Sequence, residues 1–517
     1  MTHSHAISRS LRRAWPLLLL LAAGCAQLPP RPAAPFDAAV EIGTGTELDR
    51  LIAPAEENHP GQSAFRLVSE GPEAFAVRAH VARIAGRSVD VQTYIWHGDQ
   101  TGFAMAHVLL DAADRGVRVR LLLDDMDARA KNEGFAALDA HPNIAVRLFN
   151  PLPSRSGTMA FIGDMLGDAK RLNRRMHNKT WIADNRIAII GGRNLGDEYF
   201  GASAEANFVD LDFAAVGPIV RDASASFDRY WNSGAAYPIA VLSPDKVNAE
   251  ELARLRGILA SSMEQAKQGS FAELLRRDDA VARLVGGDWT MTWSGEYRFV
   301  ADDPAKISKD ASFKSSDVLA VIGPVLRGAR QEMTIISPYF VPRDGGTAVL
   351  VEAAQSGKRV RVLTNSLAAN DVAAVHGGYA EYRETLLEGG VQLWELKPLP
   401  GEQTHSTFFG SGGASLHTKG LAVDGMTIFV GSYNLDPRST SLNTEQGVLV
   451  RSDVLAQQFM ALFDRQASGE RAWQVSLTDG KLAWTDGGNT YDSEPEASAG
   501  RKFQAWLAGL LPIEAQL

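Results

Sequence analysis

Gly116-Val117-Arg118-Val119-Arg120-Leu121-Leu122 returns as Gly357-Lys358-Arg359-Val360-Arg361-Val362-Leu363, 241 residues later, with five of the seven residues identical. Each run is apolar and rich in β-branched residues, the character of a strand buried on both faces. Ahead of each lies an amphipathic helix pattern, at 103–113 and 347–355, and ahead of that another strand pattern, at 88–95 and 333–336. Strand, helix, strand is the βαβ unit of an α/β sheet. A chain of 517 residues that carries this unit twice at a fixed offset is expected to fold as two related α/β halves. Composition sets the expected boundaries: a first half over 51–244, a charged, helix-prone linker over 245–290, and a second half over 291–475. A polar, Gly-rich tail over 476–517 ends in a short helix.

The same offset carries the chemistry. His177-Asn178-Lys179, with Asp184 five residues past the lysine, recurs as His417-Thr418-Lys419 with Asp424. After six more residues stand Gly191-Gly192-Arg193-Asn194 and Gly431-Ser432-Tyr433-Asn434. The apolar runs Trp181-Ile182-Ala183 and Leu421-Ala422-Val423, followed by 187–190 and 428–430, predict a strand hairpin turning at each aspartate. Asp184 and Asp424, the third members of the catalytic motifs, are therefore expected to hold the hairpins more than to act in chemistry. Alternate side chains of a strand share a face, so His and Lys two apart project together. An imidazole, with an ordinary pKa of roughly 6.5, can attack phosphorus or protonate a leaving alcohol. Lysine and asparagine donors suit the non-bridging oxygens of a phosphodiester. One histidine cannot be nucleophile and leaving-group acid on opposite sides of an in-line displacement, so both halves are needed for one site.

Composition excludes several alternatives. With 45% hydrophobic and 22% charged residues the chain is an ordinary folded protein rather than a disordered or polytopic membrane one. One cysteine, Cys25, rules out an internal disulfide framework and a thiolate zinc site. No cluster has metal-ligand spacing, and no cofactor is expected. The net charge of −9 opposes a general affinity for nucleic acid. Arg9, Arg12 and Arg13 followed by the apolar stretch 15–23 read as a signal peptide over 1–24. Its removal, which takes three arginines and no acid, leaves −12. Cys25 directly after Gly24 resembles a bacterial lipoprotein lipobox, with Ala22 where leucine is commonest. The Pro-rich stretch within 25–50 then reads as a tether from an acylated Cys25 to the body, in the cell envelope and facing the periplasm. Ala26 in place of an aspartate leaves sorting to the outer membrane open.

The doubled His-x-Lys-x4-Asp motif resembles that of the phospholipase D superfamily, over nearly the whole body of the chain. The resemblance implies two α/β/α sandwich halves packed as a pseudo-dimer around a single, metal-free active site. It implies that one histidine becomes phosphorylated by the substrate while the other protonates the departing alcohol. His177 is assigned as nucleophile and His417 as acid and then base, with the exchange of roles left open. Lys179, Lys419, Asn194 and Asn434 would bind phosphate, helped by Ser432. Carboxylates that orient the histidines would be Asp210 in the first half and Glu445 in the second. Within the superfamily, Gln92-Thr93-Tyr94-Ile95-Trp96, 171–177, 370–379 and 511–514 resemble bacterial cardiolipin synthases of the C type. Such enzymes transfer a phosphatidyl group to phosphatidylglycerol from a second phosphatidylglycerol or from phosphatidylethanolamine.

The resemblance thus points to phospholipid substrates and a membrane surface as partners, and to no nucleic acid. Water competes with a lipid alcohol for the same phosphohistidine, so hydrolysis is the alternative outcome, and a non-catalytic lipid-binding lipoprotein is a third. Several further residues carry weaker expectations. Arg171, Arg174 and Arg175 would meet anionic headgroups, and His376 and Tyr379 would line the acceptor pocket. The loop Gly410-Ser411-Gly412-Gly413 would gate the site. Phe503, Trp506, Leu507, Leu510 and Leu511 form a stripe that either docks on the body or dips into a membrane.

Overall fold

The computed structural model describes residues 28–155, 171–308, 316–398 and 416–509. The signal segment, Cys25, Gly410–Gly413 and the last eight residues lie outside the described residues.

Each repeat builds one large mixed sheet. In the first, Ser88–Thr93, Arg118–Asp124 and Ile144–Phe149 run parallel, as the βαβ pattern requires. The hairpin Thr180–Ala183 and Ile187–Gly191 joins Ser88–Thr93 antiparallel, then Asp212–Val216, Ser63–Val68 and Thr292–Ser294 complete that side. The second sheet repeats this order around Glu332–Ile336, Arg359–Asn365 and Gln392–Leu396, with the hairpin Gly420–Val423 and Thr427–Gly431 beside Glu332–Ile336. The hairpins turn at Asp184-Asn185 and Asp424-Gly425, all four residues with positive φ, the geometry of a type I′ turn.

The outer face of the first sheet carries helices Gly71–Ile84 and Gln100–Asp114, and that of the second carries Asp317–Arg327 and Arg343–Gln355. Between the sheets lie helices Ile219–Asn232 and Asp453–Gln466, and each also packs against a strand of the opposite half. One apolar core therefore belongs to both halves. Phe65, Ile190, Phe213 and Phe227 of the first meet Ile336, Ile428, Phe459 and Phe463 of the second, all nearly inaccessible. Among the described residues no helix is long and apolar enough to cross a membrane.

Three expected segments are built differently. The region 245–290 is helical, but it is not a free linker: Ala249–Ala266, Ser270–Arg277 and Asp279–Gly286 lie over the outer helices of the first half, and Thr292–Ser294 still belongs to the first sheet. The expected tether docks along the first half, where Arg31 Nε donates to the Ala236 carbonyl at 2.8 Å and Asp37 accepts from the Trp231 indole at 2.8 Å. The expected tail extends the second sheet through Ala472–Thr478 and Lys481–Thr485, and its helix Ala499–Gly509 packs on helix Ala373–Glu388. Composition marked the linker as charged, the tail as polar and the tether as Pro-rich, and all three nevertheless dock on the body.

Candidate active site

Each histidine is held in place by the opposite half. His177 donates its backbone N–H to the Thr444 carbonyl at 2.9 Å, and His417 donates to the Val209 carbonyl at 2.8 Å. Lone bridges pair Met176 with Thr444 and Val209 with Leu416. The carboxylates cross over in the same way. Glu445 Oε2 lies 2.9 Å from His177 Nδ1, and Asp210 Oδ2 lies 2.6 Å from His417 Nδ1. A carboxylate at Nδ1 fixes the proton there and leaves the Nε2 lone pair facing the site. Both carboxylates are fully buried. Ser432 Oγ donates to Glu445 at 2.5 Å and Ser439 Oγ donates at 2.9 Å.

The difference between Gly192 and Ser432, which occupy matching positions, follows from these braces. A Cβ at Gly192 would stand 2.4 Å from Asp210 Oδ1, so only glycine leaves room for that carboxylate. In the second half the serine hydroxyl is itself part of the brace. The hydroxyl proton of Ser432 is thus engaged with Glu445 in this structure.

The lysines sit beside the imidazoles. Lys179 Nζ donates to the carbonyl of His177, and Lys419 Nζ to that of His417, each at 2.6 Å. The crossed braces bring the two histidines, each with its own lysine, together, and each lysine's charge lowers the histidine of the other half. Burial pushes the His177 imidazole down to about 4 against the pull of Glu445, with Lys179 adding to the fall. Burial also pushes His417 down to about 3, with Lys419 adding to the fall and Asp210 opposing it. Desolvation lowers Lys179 well below its ordinary range and brings Lys419 to about 8. At neutral pH the unliganded site thus holds two neutral imidazoles with ready Nε2 lone pairs.

The asparagines are not equivalent. Asn194 Oδ1 accepts from the Ile95 N–H at 3.2 Å and its Nδ2 donates to Tyr199 Oη at 2.9 Å. Asn434 has no side-chain hydrogen-bond partner among the described residues, and its Oδ1 is buried. Asp184 and Asp424 lie at the far ends of the hairpins. Asp184 accepts from the backbone N–H groups of Gly86, Arg87 and Ser88, and Asp424 from those of Arg330, Gln331 and Glu332.

Sequence reasoning missed three aromatic walls. Tyr94 stands edge-on to His177 with ring centroids 5.4 Å apart, and Lys179 Nζ lies 5.4 Å from the same ring. Tyr199 and Phe208 contact His417 at 5.3 Å and 5.7 Å. Tyr94 and Tyr199 lie next to apolar strand or loop residues, where an aromatic residue reads as core.

Two expectations are overturned. His376 and Tyr379 are packed inside the second half: His376 Nε2 lies 3.2 Å from Glu494 and 2.7 Å from an Arg383 nitrogen, and Tyr379 packs against Phe340 and His376. Both are buried and hold a helix in place. Arg175 is also buried, donating to Asp124 at 2.8 Å, while Asp124 accepts the Met176 N–H at 2.9 Å. That ion pair aims the strand carrying His177. Arg174 reaches the Ser308 carbonyl at 2.5 Å and Arg171 the Pro151 carbonyl, so each makes a contact within the fold.

The family description "Cardiolipin synthase, PLD-like domain" matches residues 80–231 and again 323–467, the two halves described above. The chain is 39% identical to cardiolipin synthase C of Escherichia coli over 480 residues, 90% of this chain and 99% of that protein. It is 24% identical to cardiolipin synthase B of the same organism over 386 residues, 75% of this chain and 76% of that one. The crystal structure of phosphatidylserine synthase from Haemophilus influenzae superposes with a TM-score of 0.57 at 14% identity, covering 90% of this chain and 99% of that one. That likeness is one of fold.

Proposed function

The chain belongs to the phospholipase D superfamily, with two domains of the cardiolipin synthase type, and from that premise we propose that it is a phosphatidyltransferase that makes cardiolipin. The observation that carries this reading is the crossed pair His177–Glu445 and His417–Asp210 with two lysines in the same site. In the first step His177 Nε2 forms a bond to phosphorus of a donor phospholipid, phosphatidylglycerol or phosphatidylethanolamine. The bond from phosphorus to the headgroup oxygen breaks, and His417 gives that oxygen its proton. In the second step the free hydroxyl of an acceptor phosphatidylglycerol loses its proton to His417 Nε2 and attacks phosphorus, releasing His177. Lys179, Lys419 and Asn434 carry the charge that builds on the non-bridging oxygens.

A lipid substrate requires a membrane surface. Helix Ala499–Gly509 supports this: it docks through Arg501, Ala505 and Ala508 and leaves Phe503, Trp506 and Leu507 exposed on its other side. We extend the proposal to location: anchoring in the cell envelope through an acylated Cys25, tested by mass spectrometry of the mature amino terminus and its Cys25→Ser variant.

The activity test uses the purified protein in mixed phosphatidylglycerol–phosphatidylethanolamine vesicles, with His177→Ala and His417→Ala alongside. Cardiolipin that appears only with the unaltered protein supports transfer, and the released alcohol, glycerol or ethanolamine, names the donor. Phosphatidic acid without cardiolipin makes water the acceptor and refutes the synthase reading.

A further inference from the structure

A cavity of about 560 Å³ opens between helices Asp317–Arg327 and Arg343–Gln355 of the second half, away from the histidine pair. Its walls are Leu319, Leu326, Ile335, Phe340, Val349 and Leu350, and its floor is the loop that carries Tyr433, Leu435 and Asp436. Asn434 of the catalytic motif lies between Tyr433 and Leu435 in that floor. The volume falls within the roughly 300–1,000 Å³ of small-molecule sites, which are walled in the same apolar way.

The equivalent region of the first half is packed more tightly among the described residues. Its helices Gly71–Ile84 and Gln100–Asp114 stand closer together and are overlaid by three more helices, with Phe271 edge-on to Phe75 at 5.2 Å. Trp96, which matches Phe340 across the two equivalent bridges, is buried there with its indole bonded to the Gly102 carbonyl at 3.1 Å. Arg193, which matches Tyr433, fills the adjacent volume and pairs with Asp212 at 3.0 Å.

The rim of the slot is cationic. Arg327 is exposed and has no hydrogen-bond or ion-pair partner among the described residues; its guanidinium lies 3.4 Å from where a Cβ of Gly323 would sit, over the cavity wall. Arg343, also exposed, stands at the first turn of the facing helix with φ of 56°, a conformation that non-glycine residues adopt rarely. Asp344 comes next and is exposed too, and then Gly345, with nothing among the described residues within 4 Å of its missing Cβ.

We infer that this slot binds one acyl chain of an anionic membrane phospholipid, with the headgroup phosphate on Arg327 at the rim. The site is separate from the histidine pair and shares with it only the loop through Asn434, so an occupied slot would hold that loop against a lipid surface. The inference rests on the lipid-substrate reading for its class of ligand, not for its geometry.

The test uses the full chain and phosphatidylglycerol with a diazirine in one acyl chain, in phosphatidylcholine vesicles, with crosslinked peptides mapped by mass spectrometry. Crosslinks are expected in 317–327 and 343–355, in the unaltered protein and equally in His177→Ala. Ala320→Trp, which fills the slot from its rim, should reduce them at least tenfold; Arg327→Glu should reduce them severalfold, and Arg327→Lys should restore them. Competition by excess unlabelled phosphatidylglycerol supports the assignment, whereas displacement by oleate at lower concentration would make the occupant a free fatty acid and overturn it. Unchanged crosslinking in both Ala320→Trp and Arg327→Glu would also overturn it. Cardiolipin formation, measured in parallel, separates the two ideas: product without slot crosslinks sinks the slot alone, and slot crosslinks without product sink the synthase reading alone.

Discussion

In the proposed mechanism the task of His417 and its resting state oppose each other: a leaving-group acid must carry a proton, and burial pushes this imidazole down to about 3. A phosphodiester anion between Lys179 and Lys419 supplies the missing charge, because a nearby negative group favours the protonated imidazole. Binding and proton loading are then one event. The roles of the histidines separate with a donor whose leaving group needs no acid. With a phosphatidyl p-nitrophenol donor, His417→Ala should still release about one equivalent of nitrophenol in a burst, and His177→Ala none; the reverse result would exchange their roles. With ordinary donors, losing His417 should slow turnover by about 10²–10⁴. Lys419 sets the alkaline side. Its folded value is lowered to about 8, so its charge is present below that pH and lost above it. A profile of kcat/KM at constant vesicle composition should fall as pH rises through about 8, while kcat, which reports the bound state, should hold to higher pH.

The hairpin is the element that makes the motif. Its aspartate bonds three consecutive backbone N–H groups of the chain entering the neighbouring strand, once at Asp184 and once at Asp424. That fixes the register of the strand whose other end holds the histidine and lysine. Asp184→Ala should therefore lower unfolding free energy by about 3 kcal/mol, since hydrogen bonds to a charged acceptor contribute about 1.5–3 kcal/mol each and water replaces part of the loss. The kcat/KM of the remaining folded protein should be unchanged; a large loss of kcat/KM without a loss of stability would move Asp184 into the chemistry. This division was legible in the sequence because His, Lys and Asp are tied by spacing along one hairpin. The path of the braces was not. Asp210 and Glu445 stood out as carboxylates, yet each serves the histidine of the other half, and no spacing encodes a contact across 207 or 268 residues. His376 and Tyr379 misled for a related reason, because a polar residue on a helix shows its type in the sequence but not which way it faces.

Over the whole molecule, the shared core and the exposed aromatic helix set what the protein does as a body. Phe503 and Trp506 are 58% and 60% exposed, and burying such side chains contributes about 1.5–3 kcal/mol each. Replacing both with serine should weaken partition onto anionic vesicles by at least about tenfold in a sedimentation assay, with the circular dichroism spectrum unchanged. Equal partition would remove this helix from any membrane role. The two-half architecture could be read from the 241-residue repeat, because buried strands keep their apolar character; the docking of 245–290 and of the last strands could not, because polar composition hides a single buried face. The crossed braces have a further consequence, in inheritance. A lone copy of this fold would carry a histidine without its carboxylate and a carboxylate without its histidine, so it could work only by meeting a second copy of itself. If the two halves arose by duplication and fusion, the crossing ties these positions of one copy to those of the other. A change at residue 210 is felt at residue 417 of the other half, and one at 445 at 177, so the two halves would be inherited as a single unit.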